Sequence, residues 1–260
     1  MKLSCCAYSY RQALQAGTMT LPDFLRVCRA TGFDGVELTA YYFPTTERAF
    51  LNEIKLQAHR EGLAISGTAV GSDFAQPDAA RRQTHVTMTK EWIERSVILG
   101  APTLRVFAGG IRDGQSEADG FENVVACLQE CAETAQQQGV LLALENHGGL
   151  TANAEGTLRL LSAVNSPALG LNLDFGNFHG DIYGQFELCA PYAVATHVKP
   201  TATITPGHPE TRERIDYRRV DNILASAGYR GFLAMEYEEE VPAEEAVPRF
   251  AAELRKALAR

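Results

Sequence analysis

Hydrophobic segments of strand length alternate with amphipathic helical segments along the whole chain. The strand segments are 3–9, 33–38, 63–70, 103–109, 141–149, 169–174, 192–199 and 231–238. The helical segments are 20–31, 46–61, 80–99, 119–138, 154–164, 185–190, 217–227 and 243–259. Several of these helices stop at a glycine, and one follows Thr20 and carries Pro22 in its first turn.

Eight strand–helix units in 260 residues predict one (β/α)8 TIM barrel over residues 1–260. Alternation alone also fits an open, doubly wound sheet. The count of eight, the absence of a glycine-rich phosphate loop after the first strand and several polar strand ends favour the barrel. The longest irregular segments are then βα loops on the face that carries active sites. They are 40–46, 70–79, 108–118 and 200–214.

The composition is that of a globular protein, with 45% hydrophobic and 22% charged residues. The net charge of −8 argues against nucleic acid and against an anionic membrane surface as partners. Six cysteines without a two-residue-spaced pair give no zinc-ribbon or redox motif and suit a reducing compartment. No signal peptide precedes the first strand, which predicts a cytoplasmic protein, although a chain whose leader was removed would read the same way.

Four of the later strands carry a polar residue at the end of an apolar run. They are Glu145, Asp174, His197 and Glu236. A carboxylate in that position is costly unless it is paired, protonated or bound to a metal. Because parallel strands of a barrel end at one mouth, we expect these four side chains to form one site.

The alternation of side chains along a strand tests that site. Small residues fall one layer beneath the four polar ones, which leaves room for a cavity above a packed core. They are Ala143, Asn172 with Gly170, Ala195 and Ala234. The same alternation places His147 and Lys199 on the strand faces that point toward the site.

Three carboxylates at one mouth repel one another unless a cation compensates. Three oxygen donors and one imidazole suit one divalent metal ion with open positions, manganese first, with magnesium, cobalt or zinc as alternatives. The other interpretation is a set of ion pairs at the barrel rim with Lys199, Arg105 or Arg112. The occurrence of all four residues at the ends of successive strands favours the metal.

The segments ENH, LNLDFGNFH, THVKP and GYRGFLAMEYE with its closing helix resemble the xylose isomerase-like TIM barrels, also called sugar phosphate isomerases/epimerases. The resemblance extends to DGVELTAYYFP and LGAPTLRVFAGG in the first half. It implies that the four strand ends bind one divalent metal. In the ketose epimerases of that family the two glutamates also move the proton, which implies this role for Glu145 and Glu236.

The sequence departs from those epimerases at one point. They place a histidine three residues after the aspartate, where this chain has Asn177, with His179 two residues further on. The endonuclease branch of the family uses a histidine-rich cluster of several metals. This chain has six histidines, and His59 and His85 lie on predicted helices, so a role in DNA repair is not favoured.

The remaining candidates each have two interpretations. Glu37 and Arg105 form a buried ion pair across the barrel or bind substrate oxygens. Tyr41, in the aromatic loop that continues to Phe43, stacks on a sugar ring or packs the loop. Lys199 neutralises an enolate oxygen or pairs with a carboxylate ligand.

The site predicts a metal-dependent isomerase or epimerase of a sugar or keto-sugar. A metal bound to adjacent carbonyl and hydroxyl oxygens acidifies the neighbouring C–H and stabilises an enediolate. Two acid/base groups then move the proton. A lyase acting on a keto-sugar, keto-inositol or 3-ketoglycoside shares this intermediate and is the alternative. A non-catalytic sugar-binding subunit is the third hypothesis, and self-association into a homo-oligomer is open.

Overall fold

The computed structural model describes residues 1–259, so Arg260 of the predicted domain lies outside the described residues. Eight parallel strands form the barrel, and they are β1 Lys2–Cys6, β2 Gly35–Thr39, β3 Ala64–Ala69, β4 Thr103–Val106, β5 Leu141–Glu145, β6 Leu169–Asp174, β7 Ala193–Val198 and β10 Phe232–Met235. They close in the order β1-β10-β7-β6-β5-β4-β3-β2, which confirms the predicted (β/α)8 fold. The intervening strands β8 Thr201–Thr203 and β9 Arg212–Arg214 pair with each other, antiparallel, outside the barrel.

Helices surround the barrel, and the eight predicted helices are all present. The helices are α1 Arg11–Gln15, α2 Leu21–Thr31, α3 Arg48–Arg60, α4 Ala79–Leu99, α5 Glu117–Gln138, α6 Ala154–Val164, α7 Ile182–Cys189, α8 Tyr217–Ser226 and α9 Ala243–Leu258. Four short 3₁₀ helices cover Ala7–Tyr10, Ala40–Tyr42, Ala190–Tyr192 and Pro209–Thr211. The bounds of α6 agree with the prediction, whereas α7 begins at Ile182 rather than at 185.

Helix α2 shows how local sequence sets the helix limits. The Thr20 side chain accepts a hydrogen bond from the backbone of Asp23, and the Asp23 carboxylate accepts one from the backbone of Thr20. This capping box satisfies two amides that the helix itself leaves free. The helix ends at Gly32, whose φ of 85° is the left-handed conformation that glycine adopts without steric cost.

The first strand is shorter than predicted. It ends at Cys6, and residues 7–10 form a 3₁₀ helix that leads into the unpredicted helix α1. The Ser9 hydroxyl donates to the carbonyl of Met235 and accepts from the amide of Tyr237. This tertiary contact turns the chain where its apolar pattern alone would extend the strand.

Two further predictions need correction, one about the carboxyl ends of strands and one about a loop. The strands predicted to reach 109, 149, 199 and 238 end at Val106, Glu145, Val198 and Met235. The segment 200–214 is not wholly irregular, because it contains the hairpin of β8 and β9. The other long irregular segments lie in βα loops, as predicted.

The loop after β3 is joined to the loop after β4. The backbone amides of Phe74 and Ala75 both donate to the carbonyl of Ala108, and Asp73 forms an ion pair with Arg112. Gly109 has a φ of 88° and packs against Asp73, so a side chain there would overlap that residue. The two loops therefore form one wall of the barrel mouth.

The core fills the barrel and the layer between strands and helices, and the six cysteines are buried in it as free thiols. Cys127 and Cys131 lie on the buried side of α5, as their four-residue spacing predicts. No helix among residues 1–259 has the length and apolar character needed to cross a membrane.

Candidate metal and active site

The strand register brings the four polar strand ends together. Asp174 in β6 lies beside His197 in β7, and the backbone amide of Glu236 donates to the carbonyl of Val198 at 3.0 Å. Glu145 ends the neighbouring strand β5. Ligand atoms from Glu145, Asp174, His197 and Glu236 all lie within 4.8 Å of one another. None of the four residues is more than 5% exposed.

Two atoms of this cluster indicate that the residues fit a cation. His197 Nδ1 is buried and has no hydrogen-bond partner within residues 1–259, and Asp174 Oδ2 is buried with the Lys199 ammonium beside it, at 3.2 Å. They face each other at 3.8 Å, and His197 Nδ1 also lies 3.3 Å from Glu145 Oε2 and 3.4 Å from Glu236 Oε2. Ligands about 2.0–2.2 Å from one ion lie at most about 4.4 Å apart, which is close to this spacing.

Burial and charge act against each other on the pKa values here. Burial by itself opposes ionisation of Glu145, but Arg105 and His197 together leave the pKa of Glu145 lowered. Burial dominates at Asp174 and raises its pKa to about 7, although Lys199 opposes the change. Burial disfavours the charged form of His197, but Glu236 and Glu37 outweigh it and raise the pKa of the imidazole well above its ordinary value. The cluster thus attracts positive charge.

Lys199 is the ammonium group closest to the cluster. Its Nζ lies 3.2 Å from Asp174 Oδ2, 3.3 Å from Glu236 Oε2 and 2.5 Å from Glu238 Oε2. Of the two interpretations of Lys199, this geometry shows the pairing with carboxylates. A cation in this position also lies next to any oxygen that gains charge in the site.

Of the two interpretations of Glu37 and Arg105, the ion pair between them is not formed among residues 1–259, and binding of substrate oxygens stays a prediction. Arg105 Nε instead faces Glu145 Oε2 at 3.4 Å, and Glu37 Oε1 lies 2.9 Å from His197 Nε2. Both side chains reach the mouth, but each one contacts a residue at the end of one of the last four barrel strands. Arg105 thus meets the neighbouring strand β5, whereas Glu37 meets the non-neighbouring strand β7, and spacing along the sequence shows neither partner.

Three supporting residues were not assigned from the sequence. Asn172 lies beside Glu145 in the strand register and donates to its Oε2 at 2.9 Å. The Asn146 amide accepts from the backbone of Asp174 and donates to its carbonyl, at 2.8 and 2.9 Å. The Cys6 thiol lies 3.2 Å from Glu37 Oε1. Asn172 lies two residues before Asp174 and therefore on the same face of β6, which was the only sign in the sequence that Asn172 belongs to the site.

A cavity of about 180 Å³ opens above the cluster. It is lined by Tyr8, Tyr41, Arg105, Phe107, Glu145, His147, Glu236 and Glu238. The Arg105 guanidinium lies 3.9 Å from the centre of the Phe107 ring, and the His147 ring lies 4.4 Å from the same centre. Tyr41 faces this cavity, whereas Phe43 packs against Trp92.

The two candidates after Asp174 have different surroundings. Asn177 donates to Glu145 Oε1 at 3.3 Å and accepts from Lys199 at 3.1 Å, so it bridges the site. His179 Nδ1 lies 2.6 Å from the carbonyl of Thr203 and contacts the β8–β9 hairpin. The hairpin is thereby attached to the loop after β6.

The fold and the cluster define a (β/α)8 barrel with its polar site at the carboxyl ends of the strands. A comparison with protein families identifies the family: the model of the xylose isomerase-like TIM barrels matches residues 25–257. The chain belongs to this family, and the resemblance seen in the sequence is confirmed.

Individual relatives are more distant. The curated 3-dehydroshikimate dehydratase of Bacillus anthracis is 25% identical over 250 residues, covering 88% of this chain and 80% of the relative. A D-psicose 3-epimerase from Clostridium cellulolyticum H10, solved with D-tagatose, has a TM-score of 0.83 at 19% identity and covers 100% of both chains. A 3-keto-D-glucoside 4-epimerase from E. coli has a TM-score of 0.75 at 17% identity, covering 91% of this chain and 94% of that one. These structural similarities concern the fold.

Proposed function

We propose that the protein is a divalent-metal-dependent isomerase or epimerase of a sugar or keto-sugar, with Glu145 and Glu236 as acid and base. The position of these two glutamates carries the proposal. Their strands, β5 and β10, are three steps apart in the barrel, so the side chains approach one cavity from different sides. Both carboxylates are buried, and each has cationic partners that hold it in place.

A divalent cation held by Glu145, Asp174, His197 and Glu236 would supply Lewis acidity toward adjacent carbonyl and hydroxyl oxygens of a sugar. One glutamate removes the proton next to the carbonyl, and the other returns a proton. Return to the opposite face of the same carbon is epimerisation, and return to the neighbouring carbon is isomerisation.

The other residues of the site orient these groups. Arg105, Asn172 and Asn177 hold Glu145 through its two oxygens. Lys199 lies beside Glu236 and is placed to neutralise charge on an enolate oxygen. Tyr41 and Phe107 provide aromatic surface for the apolar face of a sugar, and His147 provides a polar contact at the same cavity.

A lyase reaction is the second candidate, and the similarity to a dehydratase favours it. Elimination needs an acid for the departing hydroxide besides the base that removes the proton. Lys199, which pairs at 2.5 Å with Glu238 of the cavity lining, is the proposed candidate for this acid. Both the isomerase and the lyase reaction begin with removal of a proton. They differ in whether the acid then gives its proton to a carbon or to the departing hydroxide.

The test is proton NMR of solvent deuterium exchange into a panel of keto-sugars and ketoglycosides, with manganese-loaded and chelator-stripped protein. The manganese is removed before spectra are recorded, because it broadens the signals. We expect metal-dependent loss of a signal next to a carbonyl. A product of unchanged mass identifies an isomerase or epimerase, and loss of water or an aglycone identifies a lyase. Metal-loaded protein that exchanges none of the panel contradicts the proposal and favours a non-catalytic binding subunit.

A further inference from the structure

Glu37 is a buried carboxylate that the proposed reaction does not use. It is 2% exposed and lies behind His197, on the side away from the other three carboxylates that face the imidazole. We infer that Glu37 is a positioning residue, which fixes the imidazole of His197 so that Nδ1 is the nitrogen presented to the metal. This inference rests on the metal site of the proposed function.

The two ring nitrogens have different environments. Nε2 lies 2.9 Å from Glu37 Oε1, a hydrogen-bond distance. Nδ1 has no hydrogen-bond partner among residues 1–259 and faces Glu145, Asp174 and Glu236. A carboxylate accepts but does not donate, so the proton of this bond belongs to Nε2. In the neutral ring the lone pair is then on Nδ1 and points toward the other ligand atoms.

The backbone around Glu37 is arranged for this contact. The pairing of β2 with β3 shifts register between Val36 and Glu37, and Gly67 lies beside Glu37 after the shift. A side chain on Gly67 would come within 2.5 Å of Thr103 Oγ1 and 3.8 Å of Glu37 Cγ. Glycine at this position therefore avoids a clash with Thr103, while Glu37 Cγ stays at an ordinary van der Waals distance.

Cys6 provides a second contact that orients the carboxylate. It lies beside Glu37 in the β1–β2 register, and its thiol donates to the same Oε1 at 3.2 Å. Glu37 is thus held by a neighbouring strand while it contacts the imidazole.

A carboxylate behind a metal-binding imidazole sets the tautomer and increases the basicity of the ring, and its loss lowers metal affinity about 10- to 100-fold. Burying another negative charge beside three carboxylates has no comparable structural benefit, because an apolar side chain would fill the space without desolvating a charge. The energetic cost of Glu37 is therefore explained by the metal site rather than by packing.

The test compares Glu37→Met, which removes the acceptor, with Glu37→Gln, whose amide oxygen still accepts from Nε2. Thr68→Val, in the adjacent strand β3, is the matched control, because it removes a buried hydrogen bond to Ser96 of α4 without contacting the imidazole. Calorimetric titration with Mn²⁺ measures affinity. Proton NMR of the Co²⁺-loaded protein detects the exchangeable ring N–H of the coordinated histidine.

We expect Glu37→Met to bind Mn²⁺ about 10- to 100-fold more weakly and to lose the slowly exchanging N–H signal. Glu37→Gln should keep that signal with a smaller loss of affinity, and Thr68→Val should change neither. If Glu37→Met does not fold, Glu37→Gln decides: weaker binding with a retained signal supports the inference, and unchanged binding overturns it.

A structural role for Glu37 predicts a different result, in which the metal-free Glu37→Met protein unfolds at a lower temperature but binds Mn²⁺ within about threefold of wild type, well short of the expected loss. That result overturns the inference while leaving the proposed function intact. Wild-type protein that binds no divalent cation contradicts both.

Discussion

The first four strands of the barrel and the last four bring different chemistry to the same mouth. The last four provide the proposed metal ligands, which are Glu145, Asp174, His197 and Glu236. The first four provide Cys6, Glu37 and Arg105, none of which belongs to that set of four. One half thus concentrates negative charge, and the other half provides groups that contact it.

The contacts between the halves are specific. Glu37 meets His197 at 2.9 Å, and Arg105 meets Glu145 at 3.4 Å. The comparison shows that side chains of the first half contact the cluster of the second half, and the inference about Glu37 gives one of these contacts an orienting role. We therefore expect substitutions in the second half to abolish the reaction. Substitutions in the first half should lower its rate or the stability of the site.

The largest effect is expected in the second half. Glu236→Gln keeps the shape and an oxygen ligand but removes the acid/base group, so the rate of deuterium incorporation should fall about 10²- to 10⁴-fold. The NMR assay of solvent exchange measures it. Glu239→Gln is the control, since Glu239 pairs with Thr201 and Arg212 outside the cavity. A Glu236→Gln variant that retains the wild-type rate would remove Glu236 from the proton transfer.

In the first half, Arg105→Met should destabilise the metal-free protein by about 3 kcal/mol, because it removes the guanidinium that pairs with the buried Glu145. Urea denaturation measures the free energy of unfolding. Arg29→Met provides the control, because the exposed Arg29–Glu61 pair should contribute less than about 1 kcal/mol. Equal losses of unfolding free energy in the two variants would mean that Arg105 does not compensate the buried charge of Glu145.

Metal binding should stabilise the protein through the second half. At a free Mn²⁺ concentration of about 100 times Kd, the folded state gains about 2.7 kcal/mol. Asp174→Asn should remove most of this gain, as measured by thermal unfolding with and without the metal. Asp113→Asn, in the exposed loop after β4, should keep it. If the metal still raises the unfolding temperature of Asp174→Asn as it does that of the wild type, Asp174 is excluded as a ligand.

A substitution distant from the mouth should affect only stability. Thr20→Ala removes the cap of α2 and should cost about 1 kcal/mol without changing Mn²⁺ affinity. Urea denaturation and calorimetry provide the two measurements. Within residues 1–259, the hydroxyl of Thr84, in the second turn of α4, bonds only to the carbonyl of Ala80, so Thr84→Ala should cost less. Loss of metal affinity in Thr20→Ala would show that the helices and the mouth are coupled.

The smallest expected effect is a pH dependence at the same cap. Hydrogen bonds from Thr20 lower the pKa of Asp23. The folded state therefore holds fewer protons at this group than the unfolded state, and its stabilisation is present above the unfolded pKa. It is lost as pH falls through the folded pKa. Asp23→Asn should lower the urea midpoint at neutral pH and converge with wild type in acid, and a difference independent of pH would contradict this.

Sequence patterns predicted most of the barrel because strand and helix periods are local properties. The limits of α6 and β6 follow directly from apolar spacing and flanking residues. The turn at 7–10 and the hairpin of β8 and β9 escaped prediction, because the Ser9 contacts with Met235 and Tyr237 and the pairing of Thr201 with Arg214 join positions distant in sequence.

The sequence by itself determined that this chain forms a (β/α)8 barrel, and it indicated that Glu145, Asp174, His197 and Glu236 meet at the mouth. Each conclusion depends on a repeating pattern and on the rule that parallel strands end on the same side. Only the tertiary structure decided that Glu37 pairs with His197 and Arg105 with Glu145. Those partners depend on the register of strands, including the shift at Val36 and Glu37, and on the closure of the barrel, which no local pattern specifies.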